Sequence, residues 1–201
     1  MDRLSFNAMA AINEDRLIRQ QLSNDIANVT TVGFKQTFEA TIQPHQAVGE
    51  GFDSRLQPRL YTTDRVRLDA GPLMVTGRDL DVSLNNKTVM GVMGNDGKLA
   101  FTRRGDLRIN PNGVLETGSG HMVQGQDGGP ITIPVGSRIN ITKTGEIFAS
   151  DPTQQGVPQE QVVGILMLRD ASTTHLIKRE DGLFRVDEKP LGTDFATGPE
   201  P

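Results

Sequence analysis

The chain has 201 residues, 35% of them hydrophobic, enough to bury a core; 22 Gly and 11 Pro against 4% aromatics and no Trp suit short strands joined by turns rather than a helical bundle. A net charge of −4 offers no basic excess for nucleic acid, and the absence of Cys excludes disulfides, thiolate nucleophiles and the usual structural zinc sites. No apolar run approaches the ~20 residues that span a bilayer, so no membrane insertion is expected.

Met1 to Leu22 contains no Gly or Pro. Leu4, Ala8, Ala11, Ile18, Leu22 and Val29 recur on a three-then-four spacing, with Ile26 close by, which predicts a helix carrying an apolar seam that packs lengthwise against another helix. Asp15 and Asp25 place charge on that seam. Such a thin seam buries little area by itself, so the segment is expected to order on assembly. Asn28, Thr30 and Thr31 carry side-chain oxygens that compete for backbone partners, and Gly33 allows a positive φ, so the helix is expected to stop near Asn28 in a turn. Phe34 is the first large apolar group after the stop. Asn7, Asn13, Glu14, Asp15 and Arg16 interrupt any secretory apolar core, and no cleaved signal peptide is expected.

The run Asn24-x-Ile26-Ala27-Asn28-x-x-Thr31-x-Gly33-Phe34-Lys35 resembles the N-terminal signature of the bacterial flagellar rod and hook family. Its members close a helical tube by packing terminal helices of neighbouring subunits side by side. The resemblance implies a structural subunit that leaves the cell through the flagellar type III export channel with its N-terminus retained, and that resides in the basal body, spanning the periplasm, for flagellum-dependent motility. Asp25 departs from the pattern, because relatives usually carry a second Asn there.

From residue 36 to 68 the pattern is weak, with Pro44, Gly49, Gly51 and Pro58 among polar residues. An extended connector is expected, with a short strand at Arg59 to Thr62. The body is expected over 69–188. Asp69-Ala-Gly-Pro-Leu73 reads as a turn, and the following Thr76-Gly77-x-x-Leu80-Asp81-Val82 again resembles the family, as the opening of its β domain. Thr88 to Met93, Leu99 to Thr102, Leu107 to Ile109, Val114 to Glu116 and Met122 to Gln124 read as short strands between turn signals such as Asn95-Asp-Gly97 and Asn110-Pro-Asn-Gly113. Their regular spacing predicts a twisted antiparallel β domain, sandwich or barrel-like. Gly128 to Ile141, Lys143 to Ile147, a longer strand from Gln161 to Leu168 and a hairpin-like turn at Arg179 to Arg185 complete it. The Gly128-Gly-Pro-Ile131, Val163-Gly164-x-Leu166 and Asp181-Gly-Leu-Phe184 segments resemble the proximal rod branch more than the distal rod or hook branches. Residues 189–201 show no periodicity and read as a linker or disordered tail. Family members end in a second long helix with an Asn-Val signature, and no such segment lies within the 201 residues.

Nothing in the pattern points to catalysis. His45, His121 and His175 lack the i, i+4 spacing of a helical metal site. Arg108-x-Asn110-x-Asn112-Gly113 has a cation at the first position of a calcium loop and Ser119 at the twelfth, so it reads as a turn. Asp79 and Asp81 share a strand face, which ion pairing to Arg78 or Arg103 explains without acid-base chemistry. No serine sits in a nucleophile elbow and no Gly-rich phosphate cradle opens a helix. No cofactor is expected. The expected class is therefore mainly β with an N-terminal α-helical arm on an extended connector. The assembly interface is expected at Leu4, Ala8, Ala11, Ile18, Leu22, Ile26, Asn28, Val29, Thr31, Gly33 and Phe34. The expected partners are copies of the chain, other rod proteins and the export apparatus. Two rival readings remain open here: a tail or baseplate component of a contractile phage, and a periplasmic glycan-binding β domain.

Overall fold

Two kinds of periodicity produce two kinds of structure. The computed structural model describes residues 2–37, 39–46, 56–63, 65–85, 87–153 and 160–195, with backbone alone for 2–7, 10, 39–46 and 56–63. The chain divides into one unit made of residues 1–31 and 36–65 and another made of 32–35 and 66–201.

In the first unit, the Gly- and Pro-free N-terminal stretch forms α1 (Asp2–Ala27). Within the span expected as an extended connector, β1 (Glu39–Gln46) and β2 (Leu56–Thr63) instead pair antiparallel, from Glu39 opposite Thr63 to Gln46 opposite Leu56. Pro44 faces Pro58. Both strands of a two-stranded ribbon are edges, so residues that cannot donate to a ladder are tolerated there, and the prolines that read as strand breakers are compatible with pairing. The remainder of that span, 47–55 and 64, lies outside the described residues.

Among the described residues the second unit holds ten short strands, all antiparallel. In chain order they are β3 (Thr88–Met93), β4 (Leu99–Thr102), β5 (Leu107–Ile109), β6 (Leu115–Thr117), β7 (Arg138–Ile141), β8 (Glu146–Ser150), β9 (Gln161–Ile165), β10 (Leu168–Asp170), β11 (Leu176–Lys178) and β12 (Phe184–Val186). They form a five-stranded sheet in the order β10-β3-β4-β12-β11, a three-stranded sheet β7-β8-β9 and the pair β5-β6. Among the described residues no sheet closes into a barrel. Alternation in the five-stranded sheet gives it two buried faces. Met90, Val92 and Ala100 point into the larger core with Leu107, Leu115, Ile133, Ile139 and Ile147, whereas Val89, Phe101, Phe184 and Val186 build a second core with Leu68 and Leu176.

Two expectations for this unit are corrected. The strand expected as continuous from Gln161 to Leu168 is broken. β9 pairs with β8, β10 pairs with β3, and the chain passes between the two sheets at Leu166 and Met167, both buried. A strand that serves two sheets must bend where it changes partners, which an apolar run in sequence does not reveal. The segment expected as a linker or disordered tail from residue 189 is packed on the body as far as Phe195. The Phe195 ring lies 4.8 Å from that of Phe101, and Arg169, itself buried, donates to both carboxylate oxygens of Asp194 at 2.9 and 2.8 Å. Residues 196–201 lie outside the described residues.

Candidate assembly interface

α1 stops where the residue chemistry requires it. The Asn28 amide donates to the Asn24 carbonyl and to Asn24 Oδ1, each at 2.9 Å, and the Thr31 N–H donates to the Asn28 carbonyl at 2.9 Å. These contacts occupy carbonyl groups that the end of a helix leaves without partners. Gly33 follows with φ +72°, a conformation that costs an L-residue with a Cβ about 1–2 kcal/mol.

The expected seam stands in solvent. Ile18, Leu22, Ile26 and Val29 are 44%, 57%, 63% and 76% exposed, and Ala8 and Ala11 are exposed as well. The Leu4 side chain lies outside the described residues. Asn28 is partly buried by its own cap, and Thr31 is exposed. The charged seam positions find partners along the helix: Asp15 accepts from Arg19 Nε at 2.7 Å and Asp25 from Gln21 Nε2 at 2.9 Å. Met9, Ile12 and Leu17 are exposed too, although the seam pattern passes over them. Their signal was the adjacent pairing Ala8-Met9, Ala11-Ile12 and Leu17-Ile18. Neighbouring helical residues lie about 100° apart, so Met9 and Ile12 flank the seam on one side and Leu17 on the other.

Gly33 and Phe34 belong to a different unit from the seam. Val32–Lys35 belong to the β unit, and Gly33 is pressed against the backbone of Arg103 and Arg104. A Cβ at Gly33 would stand 2.6 Å from both N and Cα of Arg104, closer than real contacts allow. The Phe34 ring lies under Lys178, whose Nζ is 5.0 Å from the ring centroid. Lys35 Nζ donates to the Asp69 carbonyl. Burial lowers the Lys35 pKa from its ordinary value, the Arg103 charge lowers it further, and Asp69 partly restores it. Arg103 fixes the floor of this foothold by donating to the carbonyls of Thr88 at 2.7 Å and Leu84 at 2.9 Å, while Arg104 turns to Asp106, 2.6 Å from its Nε. The signature is shared between the two units: its first part ends the helix and its last part packs on the β body.

A groove of about 410 Å³ lies elsewhere on the β unit, lined by Gly77–Leu80, Ile109 and Ser137–Ile139. Of the two carboxylates considered for acid-base work, Asp79 is exposed and Asp81 lies 3.6 Å from Arg78, the ion-pairing explanation. Among the described residues no group of His, Asp and Glu is placed to hold a metal, and no helix is long and apolar enough to cross a membrane.

The family model described as the flagellar hook protein FlgE/F/G D1 domain matches residues 87–149, which run from β3 through β8. The flagellar basal-body rod protein FlgF of Salmonella typhimurium is 35% identical over 190 residues, covering 92% of this chain and 72% of that protein. FlgF of Escherichia coli K12 is 30% identical over 195 residues, covering 96% and 75%. The rod protein FlgG of Bacillus subtilis is 32% identical over 152 residues, covering 67% and 57%. These relatives support the rod reading over the phage-tail and glycan-binding alternatives. With such identity across nearly its whole length, the chain belongs to the family of flagellar basal-body rod proteins and is a structural subunit rather than an enzyme.

Proposed function

We propose that this subunit builds the proximal part of the rod by packing the apolar seam of α1 against the helices of neighbouring copies and of other rod proteins, with the β domain filling the outer layer. The observation that carries this reading is the run of exposed apolar side chains from Met9 to Val29. A helix that exposes apolar groups along a seam and on both flanks of it is stable in water only when something covers them. Asp15 and Asp25 are already paired within the helix, so an assembly need not bury them bare.

On this reading the subunit passes through the flagellar type III export apparatus with its N-terminus retained, takes its place in the periplasmic part of the basal body, and engages neither nucleic acid nor lipid. The acidic balance and the family resemblance support these points. Leu22→Asp is the test. It places a charge on the seam and leaves the β cores intact, so the variant protein is expected to be exported and folded but absent from purified basal bodies, giving non-motile cells. Normal incorporation would overturn the helix-packing reading.

A further inference from the structure

The seam of α1 is more selective than its apolar residues alone require. From Leu4 through Ala11, Asp15, Ile18 and Asp25 to Val29 it advances by alternating steps of four and three without a slip, so the two acids fall on its core line rather than beside it. Each becomes a layer of the contact when a second helix packs along the seam. Asp15 accepts from Arg19 at 2.7 Å in a pair whose side chains are 59% and 77% exposed, so water screens both charges. Asp25 is partly buried and accepts from the Gln21 amide, a neutral group that leaves the negative charge uncompensated. A hydrogen bond keeps either carboxylate from being bare, but desolvating a charge without a counter-charge remains strongly destabilising.

A second copy of α1 has no such counter-charge on its own seam, none of whose positions is Lys or Arg. Parallel and in register, the two helices would set Asp15 against Asp15 and Asp25 against Asp25. Shifted or antiparallel, each acid would meet an apolar layer or the other acid. One flank contact does favour a copy: Glu14 and Arg19 lie on opposite sides of the seam five residues apart, the spacing of a cross-helix pair in a parallel coiled coil. That pair would draw Arg19 away from its own Asp15 and leave the two Asp15 carboxylates facing. From Ala8 to Val29 the seam and its two flanks carry three acids, Glu14, Asp15 and Asp25, against the single cation Arg19, so two copies add like charge to like.

We propose that the seam of α1 takes the helix of a different rod protein, one that carries Lys or Arg on its own seam at two layers ten residues apart, about 15 Å along the axis, opposite Asp15 and Asp25. This rests on the helix-packing reading and names the neighbour at its central contact. The two acids set what the seam refuses as well as what it accepts.

The test uses the full chain. A photoreactive benzoylphenylalanine replaces Ile18 in one strain and Val29 in another, leaving both acids in place, and purified basal bodies are irradiated. The expected product joins this chain to another rod protein, and mass spectrometry of the joined peptide places it on a helix with Lys or Arg at the facing layer. Separately, Asp15→Leu with Asp25→Leu makes the seam apolar throughout. The purified double variant is expected to self-associate at least tenfold more tightly than the unsubstituted chain in sedimentation equilibrium, and to enter basal bodies at least tenfold less. A product made chiefly with a second copy, or with a helix that has no cation at that layer, would overturn the charge selection and leave the helix-packing reading standing. So would a double variant that associates as weakly as the unsubstituted chain, because the acids would then not be what keeps copies apart. The sedimentation arm needs no assembly, so it decides the point even for a substituted chain that stays out of the basal body. A chain present in basal bodies that gives no product at either position would show the seam uncovered and would strike the helix-packing reading together with the inference.

Discussion

The helix and the β body use similar apolar side chains to opposite ends. In the β unit Met90, Val92, Leu107, Leu115 and Ile147 are fully buried, each position set by strand alternation and by a facing sheet. In α1, Ile18, Leu22 and Ile26 remain about half exposed or more. Burial stabilises by roughly 25 cal/mol per Å² of apolar surface removed from water, so the first set contributes fully to folding of the chain, whereas much of the second set's contribution is left for association on the proposed reading. Mutations that separate the two contributions test whether the division is real.

The largest effects come from exchanging the two roles. Phe101 is 1% exposed, packs against Phe195 and stands opposite Phe184 in the sheet. Phe101→Ala is expected to cost about 3–5 kcal/mol, of the order of 10 °C in the thermal transition of a domain this size. Leu22→Asp is expected to move the same transition by no more than about a degree or two, although it abolishes incorporation. Differential scanning calorimetry of the two purified variants checks the pair. A large shift for Leu22→Asp would mean that α1 is part of the folding unit and would collapse the distinction.

Gly33 lies at the boundary, and here the structure changes what sequence reasoning expects. From the positive φ alone, Gly33→Asn should be mild, because Asn tolerates the left-handed region. The 2.6 Å approach to the Arg104 backbone removes that relief, since any Cβ meets the same main-chain atoms. Gly33→Asn and Gly33→Val are therefore both expected to destabilise the β unit by about 2 kcal/mol and to abolish swimming, with Val the worse by a small margin. Soft-agar motility and urea denaturation read the two effects. Wild-type behaviour of Gly33→Asn would show that Val32–Lys35 can leave the body freely.

Most of the fold was legible because it depends on local pattern. Strand alternation placed β3, β4 and β5 within a residue or so of where they lie, and the Asn28 to Gly33 chemistry placed the helix stop. What was not legible depends on distant partners. Pro44 and Pro58 read as breakers until each is seen opposite the other on a ribbon with no inner strand. Phe195 sits among Gly, Pro and charged residues with no period, and only the proximity of Phe101 gives it a place. The foothold of Gly33 on Arg103 and Arg104 joins residues some seventy positions apart, beyond the reach of any local rule.

The docked tail sharpens the comparison through pH. Burial raises the Asp194 pKa, but the hydrogen bonds from Arg169 and from the Phe195 N–H more than offset this, so it lies below the usual carboxylate value. A depressed carboxyl means that the unfolded chain takes up its proton first. The stabilisation is therefore complete above the unfolded value near pH 4 and is lost as pH falls through the folded value. Asp194 is 42% exposed, so after discounting for solvent screening Asp194→Asn is expected to cost about 1 kcal/mol at pH 7. The gap between the two proteins in thermal transition should narrow from pH 5 to pH 3. A gap that is independent of pH would assign the effect to packing of Phe195 rather than to charge.

The smallest effect concerns the aromatic grip at the helix foot. Lys178 Nζ stands 5.0 Å from the centre of the Phe34 ring, and both groups are partly exposed, a setting in which a cation over an aromatic face contributes about 0.5–1 kcal/mol. Lys178→Met keeps the aliphatic cover and removes only the charge, so it is expected to cost about 0.5 kcal/mol, whereas Phe34→Leu loses the ring face and should cost slightly more. If the two substitutions act through one contact, the double variant costs no more than Phe34→Leu alone, because the charge has no ring left to meet. A thermal-melt double-mutant cycle measures this directly. Additive losses would show that Phe34 is held by its apolar surroundings and that Lys178 contributes elsewhere, which would leave the Arg104 contact of Gly33 and the Lys35 hydrogen bond as the polar and steric fixtures of the foothold.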